Sequence, residues 1–105
     1  MNTTTDDYTP IQAGDYVIVR CKDAGVHAGV LVSHAGRTCQ LTQSRRLWYW
    51  RCKSGAFLSG LAVHGLHEDS KVGAPIDVIL TEDCEIIRVH ADAIASFSWA
   101  AEYHP

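Results

Sequence analysis

Apolar and polar residues alternate along the first half of the chain with the two-residue period of a β-strand. Tyr16–Cys21 places valine or cysteine at every second position, and the same period runs through residues 26–33 and 37–42. Ala35-Gly36, between the second and third of these runs, is typical of a two-residue hairpin turn. The pattern predicts three antiparallel strands in meander order.

The rest of the chain predicts further strands and two short helices. Leu47–Cys52 is rich in aromatic residues and fits a fourth strand. Ser54 has the character of a helix N-cap, and Gly65 marks the C-terminal stop of that helix. Two more strands and a final helix are predicted over Ile76–Leu80, Cys84–Val89 and Asp92–Phe97. The predicted fold is α+β, a strongly bent antiparallel sheet or small barrel of about six strands with two short helices.

Length and composition indicate one domain. The chain has 105 residues, 47% of them hydrophobic, which suits a single core. Residues 1–13 are predicted to be a flexible N-terminal arm and 14–105 the single α+β domain. No apolar stretch approaches the roughly 20 residues of a membrane span, and the first ten residues carry two acids and no base, unlike a secretory signal. We therefore expect a cytoplasmic protein.

The cysteines and histidines predict neither a disulfide nor a metal site. A reducing compartment disfavours disulfides, and each cysteine lies in a predicted strand among apolar neighbours. The four are Cys21, Cys39, Cys52 and Cys84. His64 and His67 approach ligand spacing, but Gly65 between them fits a helix end and no third ligand has motif spacing. No cofactor is expected.

Charge and motifs argue for binding rather than catalysis. No nucleophile elbow, phosphate loop, zinc-protease motif or paired-carboxylate signature is present, so the chain is not expected to be an enzyme. The net charge is −3, with an excess of +3 over residues 1–53 and −6 over residues 54–105. This balance disfavours a long nucleic-acid duplex as partner and leaves room for a small anion at a local basic patch.

The local basic patch is the segment 45–51, where arginines and aromatic residues alternate. The candidate ligand-binding residues are Arg45, Arg46, Trp48, Tyr49, Trp50 and Arg51, together with His27. We expect the tryptophans to face the core, and the exposed row is then Arg45, Leu47, Tyr49 and Arg51. Guanidinium groups bind phosphate oxygens and an aromatic plane stacks on a base. The alternative is structural: the rings form the core while the arginines lie over its edge or pair with nearby acids.

Gly25 and Gly29 bracket His27 at the start of the second strand. A glycine inside a strand is typical of a bulge, or of close approach by another backbone or a ligand. A tight turn is the favoured explanation of this pair of glycines.

The succession of these motifs resembles a family of small proteins from tailed phages and prophages. The resemblance covers most of residues 14–97, and its distinctive part is the Arg-Arg-Leu-Trp-Tyr-Trp motif at 45–50, followed by Leu58-Ser59. It implies an accessory phage protein, a class that includes inhibitors of host defence.

Three hypotheses follow. The first is a phage counter-defence protein that sequesters a nucleotide immune signal in the host cytoplasm. The second is a protein–protein inhibitor, such as an anti-CRISPR, whose acidic residues Glu82, Asp83 and Glu85 occupy a basic groove. The third is a structural or oligomeric accessory protein, and a homo-oligomer is expected.

Overall fold

The computed structural model describes residues 9–51, 58–98 and 100–102. Its strands are β1 (Tyr16–Cys21), β2 (Val26–Ala35), β3 (Thr38–Tyr49), β4 (Lys71–Val72), β5 (Ile76–Thr81), β6 (Asp83–Arg88) and β7 (Ala101–Glu102). Its helices are α1 (Leu58–His64) and α2 (Ala91–Ser98). Neither helix has the length and apolarity needed to cross a membrane within this part of the chain.

The strands form one strongly curved sheet. Their order is β6–β1–β2–β3–β4–β7, and β5 also pairs with β3. Every pair is antiparallel except β4 with β7. Only Glu82 separates β5 from β6, although β5 pairs with β3 and β6 with β1, so the sheet has to curl to bring these strands near each other. No pairing joins β5 to β6 in the described residues, so the sheet stays open. The predicted α+β class and bent antiparallel sheet are confirmed, and the barrel alternative is not formed.

The alternation along β1 builds two hydrophobic cores. Ile18 is fully buried beneath the helices, whereas Val17 and Val19 are fully buried inside the curve of the sheet. The helix-side core consists of Ile18, Ala28, Leu47, Leu61, Ala62, Leu66, Val72, Val89, Ala93, Phe97 and Ala100. The sheet-interior core consists of Val17, Val19, Cys21, Leu31, Cys39, Leu41 and Leu80. Because both faces of β1 are covered, this strand anchors the whole domain.

A β-bulge in β3 lies opposite Gly29. Val30 pairs with Thr42 but Ala28 pairs with Arg45, so β3 has one residue more than β2 across this interval. Gln43 takes the extra length with a left-handed backbone, φ 53°. A Cβ on Gly29 would lie 2.8 Å from the Cα of Ser44, which only glycine avoids. The close backbone approach is therefore the correct explanation of Gly29, where the favoured tight turn is wrong. Gly25, with φ 85°, does lie in the turn between β1 and β2.

Several predicted boundaries change. The separate strands predicted over 37–42 and 47–52 are one strand, β3, because the bulge lets the chain bend without ending its pairing. The two-residue strands β4 and β7 were not predicted, since so short a segment shows no hydrophobic period.

Cys52 and the predicted N-cap Ser54 lie outside the described residues. The predicted stop is confirmed: Gly65 has φ 88° and its N–H donates to the carbonyl of Leu61.

The described part of the predicted N-terminal arm, residues 9–13, has no regular secondary structure. It is joined to β6 by Arg88, whose Nη2 donates to the carbonyls of Thr9 and Pro10 at 2.7 Å each. Arg88 also contacts Asp15 through its Nε at 3.2 Å. Arg88 thus ties Thr9, Pro10 and Asp15 to β6, while the backbone of Gly14 and Asp15 is hydrogen-bonded to Leu31 of β2.

Candidate functional site

Arg46 and Trp48 stand together on the face of β3 that the helices leave uncovered. They are two residues apart on one strand, so their side chains leave the same face. The guanidinium carbon of Arg46 lies 5.4 Å from the ring centroid of Trp48, within cation–π range. Trp48 is 52% exposed and Arg46 is partly exposed. We call this pair the Arg46–Trp48 surface, because it presents positive charge and an aromatic ring together at the solvent boundary.

The prediction that both tryptophans face the core is wrong for Trp48. Alternation correctly grouped Arg46 with Trp48 and separated them from Leu47, but the helices cover the face that carries Leu47. Leu47 is consequently 7% exposed, and the predicted exposed row is wrong at this position. Trp50 follows the end of β3 and packs, partly buried, against the helix-side core, as the sequence favoured.

Arg45 points inward, beneath the C-terminal end of α2. It is 8% exposed, so its predicted place in an exposed row is also wrong. Its Nη1 donates to the carbonyls of Phe97 and Ser98 at 3.2 and 3.0 Å, and its Nε donates to the carbonyl of Gly73 at 2.8 Å. Carbonyls in the last turn of a helix lack partners within the helix, and a cation is favoured there. Arg45 therefore joins β3, α2 and the link after β4.

Arg51 is held by the loop that follows α1. Its Nη1 lies 2.9 Å from Asp69 Oδ2 in an exposed ion pair, and its backbone N–H donates to Ser70 Oγ at 3.0 Å. His67 Nδ1 lies 2.8 Å from the other oxygen of Asp69. The side chain of Tyr49 lies outside the described residues. The three arginines of the segment thus have separate surroundings, and the structure does not bring them to one point.

His27 lies beside Arg46, on the neighbouring strand β2 and on the same face of the sheet. It pairs with Arg46 across β2 and β3, but it is only 1% exposed and so has no access to an external ligand. Its Nε2–H donates to the carbonyl of Ala24 at 2.8 Å, and its Nδ1 has no partner among the described residues. Burial lowers the pKa of His27, the bond to Ala24 opposes this, and the charge of Arg46 adds to the lowering.

A pocket that the sequence did not predict opens beside the bulge. It has a volume of about 210 Å³ and is lined by Tyr16, Gln43, Arg45, Pro75 and Ser98. We call it the bulge pocket. A second hollow of about 180 Å³ shares Gln43 and Pro75 with it. The strand glycine Gly29 was the one sequence signal for this place, because a bulge often re-aims side chains beside a functional site.

Residues 14–97 match a family described as a domain of unknown function, DUF6948. The chain belongs to this family. No curated protein and no solved structure is significantly similar to it. The DUF6948 region contains the whole Arg46–Trp48 surface and every residue lining the bulge pocket except Ser98.

The acids proposed for the alternative interface of this DUF6948 protein are engaged within the fold. Asp83 is 8% exposed, its carbonyl accepts from Arg37 Nε at 3.2 Å, and one of its carboxylate oxygens lies 3.3 Å from His34 Nε2. Glu85 forms an exposed ion pair with Arg20 at 2.8 Å. Glu82 is exposed and has a left-handed backbone, with φ 56°. Its side chain or backbone is also engaged in a contact, so it is not a free acid. These acids do not pair with the arginines of the 45–51 segment in the contacts described.

The side chains of the DUF6948 domain that could hold a ligand are donors and cations rather than metal ligands. In the described residues no group of three or more histidine, cysteine or acidic side chains is placed to hold a metal ion. Cys39 is a buried thiol whose pKa is raised to about 11, first by burial and then by the charge of Asp83. A thiol with so high a pKa is a poor nucleophile.

Proposed function

We propose that this DUF6948 protein binds a small nucleotide on the Arg46–Trp48 surface. In the wider proposal it is a phage counter-defence protein that sequesters a nucleotide immune signal in the host cytoplasm. The observation that supports the binding step is the Arg46 guanidinium 5.4 Å from the ring of a half-exposed Trp48. The guanidinium lies over the ring, so that a positive charge and an aromatic plane are already adjacent, which is what a ligand carrying both a phosphate and a base requires.

The energetics favour a ligand with both features. Stacking of one base on an aromatic side chain contributes about 1–3 kcal/mol. A guanidinium adds bidentate hydrogen bonds to phosphate oxygens, and these are stronger than bonds between neutral groups. The ring of Trp48 alone would leave the phosphate in water, and Arg46 alone would bind any anion. Their combination on one face selects for a nucleotide.

Isothermal titration calorimetry with cyclic dinucleotides and ADP-ribose tests the proposal. We expect saturable heat at micromolar protein for at least one of these ligands. Trp48→Ala and Arg46→Gln should each weaken that binding about tenfold or more, the loss that 1.4 kcal/mol produces. Both side chains are at least partly exposed, so the variants should fold.

Two matched controls separate the surface from general effects. Ile79→Ala removes another apolar side chain that is 64% exposed, and Arg20→Gln removes another exposed arginine. Neither lies on the Arg46–Trp48 surface, and both should bind the nucleotide like the wild type. Absence of heat with every nucleotide, or equal losses in the controls and the surface variants, would contradict the proposal.

The oligomeric accessory role is the second candidate, and strand β5 favours it. β5 pairs only with β3 in the described residues, so its other edge has backbone groups available for pairing. Ile76 and Ile79 on this strand are 50% and 64% exposed. A second copy of the chain could pair there. Analytical ultracentrifugation should then show a homodimer that Ile79→Lys dissociates, and a wild-type monomer at all concentrations would exclude this interface.

A further inference from the structure

Lys71 on β4 brings a second positive charge to the face of the sheet that carries the Arg46–Trp48 surface. β4 pairs with β3 so that Val72 lies opposite Leu47, and both of these side chains are buried in the helix-side core. Neighbouring residues of a strand point to opposite faces, so Lys71 and Trp48 leave the face that the helices do not cover. Lys71 is exposed there.

The indole of Trp48 and the side chain of Lys71 are close enough to contact one ligand. A Cβ added at Gly73 would lie 3.4 Å from Trp48 Nε1, so the ring reaches toward the strand that carries Lys71. The backbone N–H of Gly73 donates to the carbonyl of Arg46 at 2.7 Å, which fixes the register. With a rise of about 3.3 Å per residue and about 4.8 Å between strands, the Cα atoms of Arg46 and Lys71 are about 8 Å apart. Two long side chains can meet over that spacing.

The acid nearest to Lys71 on the same side of the chain is engaged elsewhere. Asp69 lies two residues before Lys71. Its Oδ2 lies 2.9 Å from Arg51 Nη1 and its Oδ1 lies 2.8 Å from His67 Nδ1. Both carboxylate oxygens of Asp69 thus have partners other than Lys71, and the charge of Asp69 is balanced by that of Arg51.

Three more acids lie near this face in the chain or in the fold. Glu68 and Asp23 are exposed, and neither forms an ion pair with Arg46 or Lys71 among the described residues. Glu102 of β7 is paired with Val72, whereas Lys71 is paired with Ala101. Both cations therefore keep their charge toward solvent in the described contacts.

We propose that the nucleotide bound by the Arg46–Trp48 surface carries two linked phosphate groups, one held by Arg46 and the other by Lys71. This inference rests on the proposed function and narrows its ligand to nucleoside diphosphates and their derivatives. The guanidinium of Arg46 already lies over the Trp48 ring, which brings it toward the strand next to β4. Lysine binds phosphate as a point charge without a fixed geometry, so Lys71 can follow the terminal phosphate.

Isothermal titration calorimetry compares AMP with ADP, and GMP with GDP, at low salt and with a chelator that keeps metal ions off the phosphates. In at least one base series, the wild type should bind the diphosphate at least about threefold more tightly than the monophosphate. Lys71→Gln should remove most of that preference, and the ratio of the two affinities is the quantity measured. Equal affinity for monophosphate and diphosphate in both series would overturn the proposal.

Two variants separate the charge of Lys71 from general effects. Lys71→Arg keeps the charge and should keep the diphosphate preference. Lys22→Gln removes another exposed lysine, which follows β1, and should also keep it. High salt should reduce the preference of the wild type, because exposed charges are screened. A preference that survives in Lys71→Gln, or that Lys22→Gln removes equally, would overturn the assignment of Lys71.

The outcomes distinguish this inference from the proposed function. If monophosphates and diphosphates bind equally and Trp48→Ala weakens both, the nucleotide surface stands and the diphosphate assignment is wrong. If none of the four nucleotides binds, and cyclic dinucleotides and ADP-ribose do not bind either, both proposals are wrong. A diphosphate preference that is lost in Lys71→Gln and retained in Lys22→Gln supports both.

Discussion

The two faces of β3 use arginine in different ways. On the helix-covered face, Arg45 is 8% exposed and its hydrogen bonds go to carbonyls at the end of α2 and in the link after β4. On the open face, its neighbour Arg46 lies over an exposed tryptophan. One arginine joins elements of the fold, and the other is available to a molecule outside it. Membership of a basic motif therefore does not determine what a residue does.

Replacing Arg45 should have the largest effect on stability. Arg45→Met deprives three backbone carbonyls of their donor, and an unsatisfied buried acceptor costs about 1–3 kcal/mol. We expect the free energy of unfolding to fall by at least about 3 kcal/mol, measured by urea denaturation. Arg46→Met is the matched control and should change it by less than about 1 kcal/mol. Equal effects of the two substitutions would remove the distinction between the faces.

Gly29→Ala should come next, because it tests the bulge that sets the direction of Arg45. The added Cβ would meet the Ser44 backbone at 2.8 Å, and backbone cannot move aside as a flexible side chain can. We expect a loss of about 1–3 kcal/mol in the free energy of unfolding. Gly73→Ala is the control. Gly73 follows β4, which flanks β3 on the side opposite to β2, and a Cβ added there meets no heavy atom nearer than 3.4 Å. A tolerated Gly29→Ala would show that the bulge does not depend on this glycine.

Buried His27, the cross-strand neighbour of Arg46, makes the stability of the domain sensitive to pH. Burial lowers the pKa of folded His27 below the ordinary value of 6.5, so below about pH 6.5 the unfolded chain takes up a proton that the folded chain excludes. The stabilising contribution is present above pH 6.5 and is lost as the pH falls toward the folded pKa. Its slope cannot exceed about 1.4 kcal/mol per pH unit.

The measurement is urea denaturation at pH 7.5 and pH 5.0. The difference in unfolding free energy between the two pH values should be smaller in His27→Gln than in the wild type. His64→Gln removes an exposed histidine and should keep the wild-type difference. A wild-type difference retained in His27→Gln would refute the assignment.

The smallest effect on stability is expected at Trp48. Because its ring is 52% exposed, Trp48→Ala should change the free energy of unfolding by less than about 1 kcal/mol. Trp50→Ala removes a ring that packs on the helix-side core and should cost about 2 kcal/mol or more. Thermal denaturation of the two variants compares a half-exposed ring with one that packs on the helix-side core. The reverse order would show that Trp48 belongs to the core.

Much of the fold was accessible from local patterns. The period of two in Tyr16–Cys21 and the stop at Gly65 depend on neighbouring residues only, and both were predicted correctly. The bulge could be predicted only in part. Gly29 indicated a close approach of another backbone, but Ser44, which makes that approach, is fifteen positions away and has no sequence feature that identifies it. β4 was inaccessible, because two residues show no period and its pairing is decided by β3.

The sequence predicted which segment carries the candidate site, but not how its side chains are arranged in space. Composition drew attention to residues 45–51, and alternation correctly placed Arg46 with Trp48. The choice between the faces needed the helices, whose position over Leu47 is a long-range packing result. The bulge pocket was missed because Tyr16, Gln43 and Ser98 come from three distant parts of the chain.

By itself, the sequence determined the α+β class, most strands, and which side chains of β3 share a face, because these follow from backbone periods along a continuous stretch. The tertiary structure alone decided that Arg45 is buried and Arg46 exposed, and that a pocket opens beside Gln43. The physical reason is that alternation divides a strand into two faces without labelling them. The label comes from whichever face the helices cover, and that depends on residues far away in the chain.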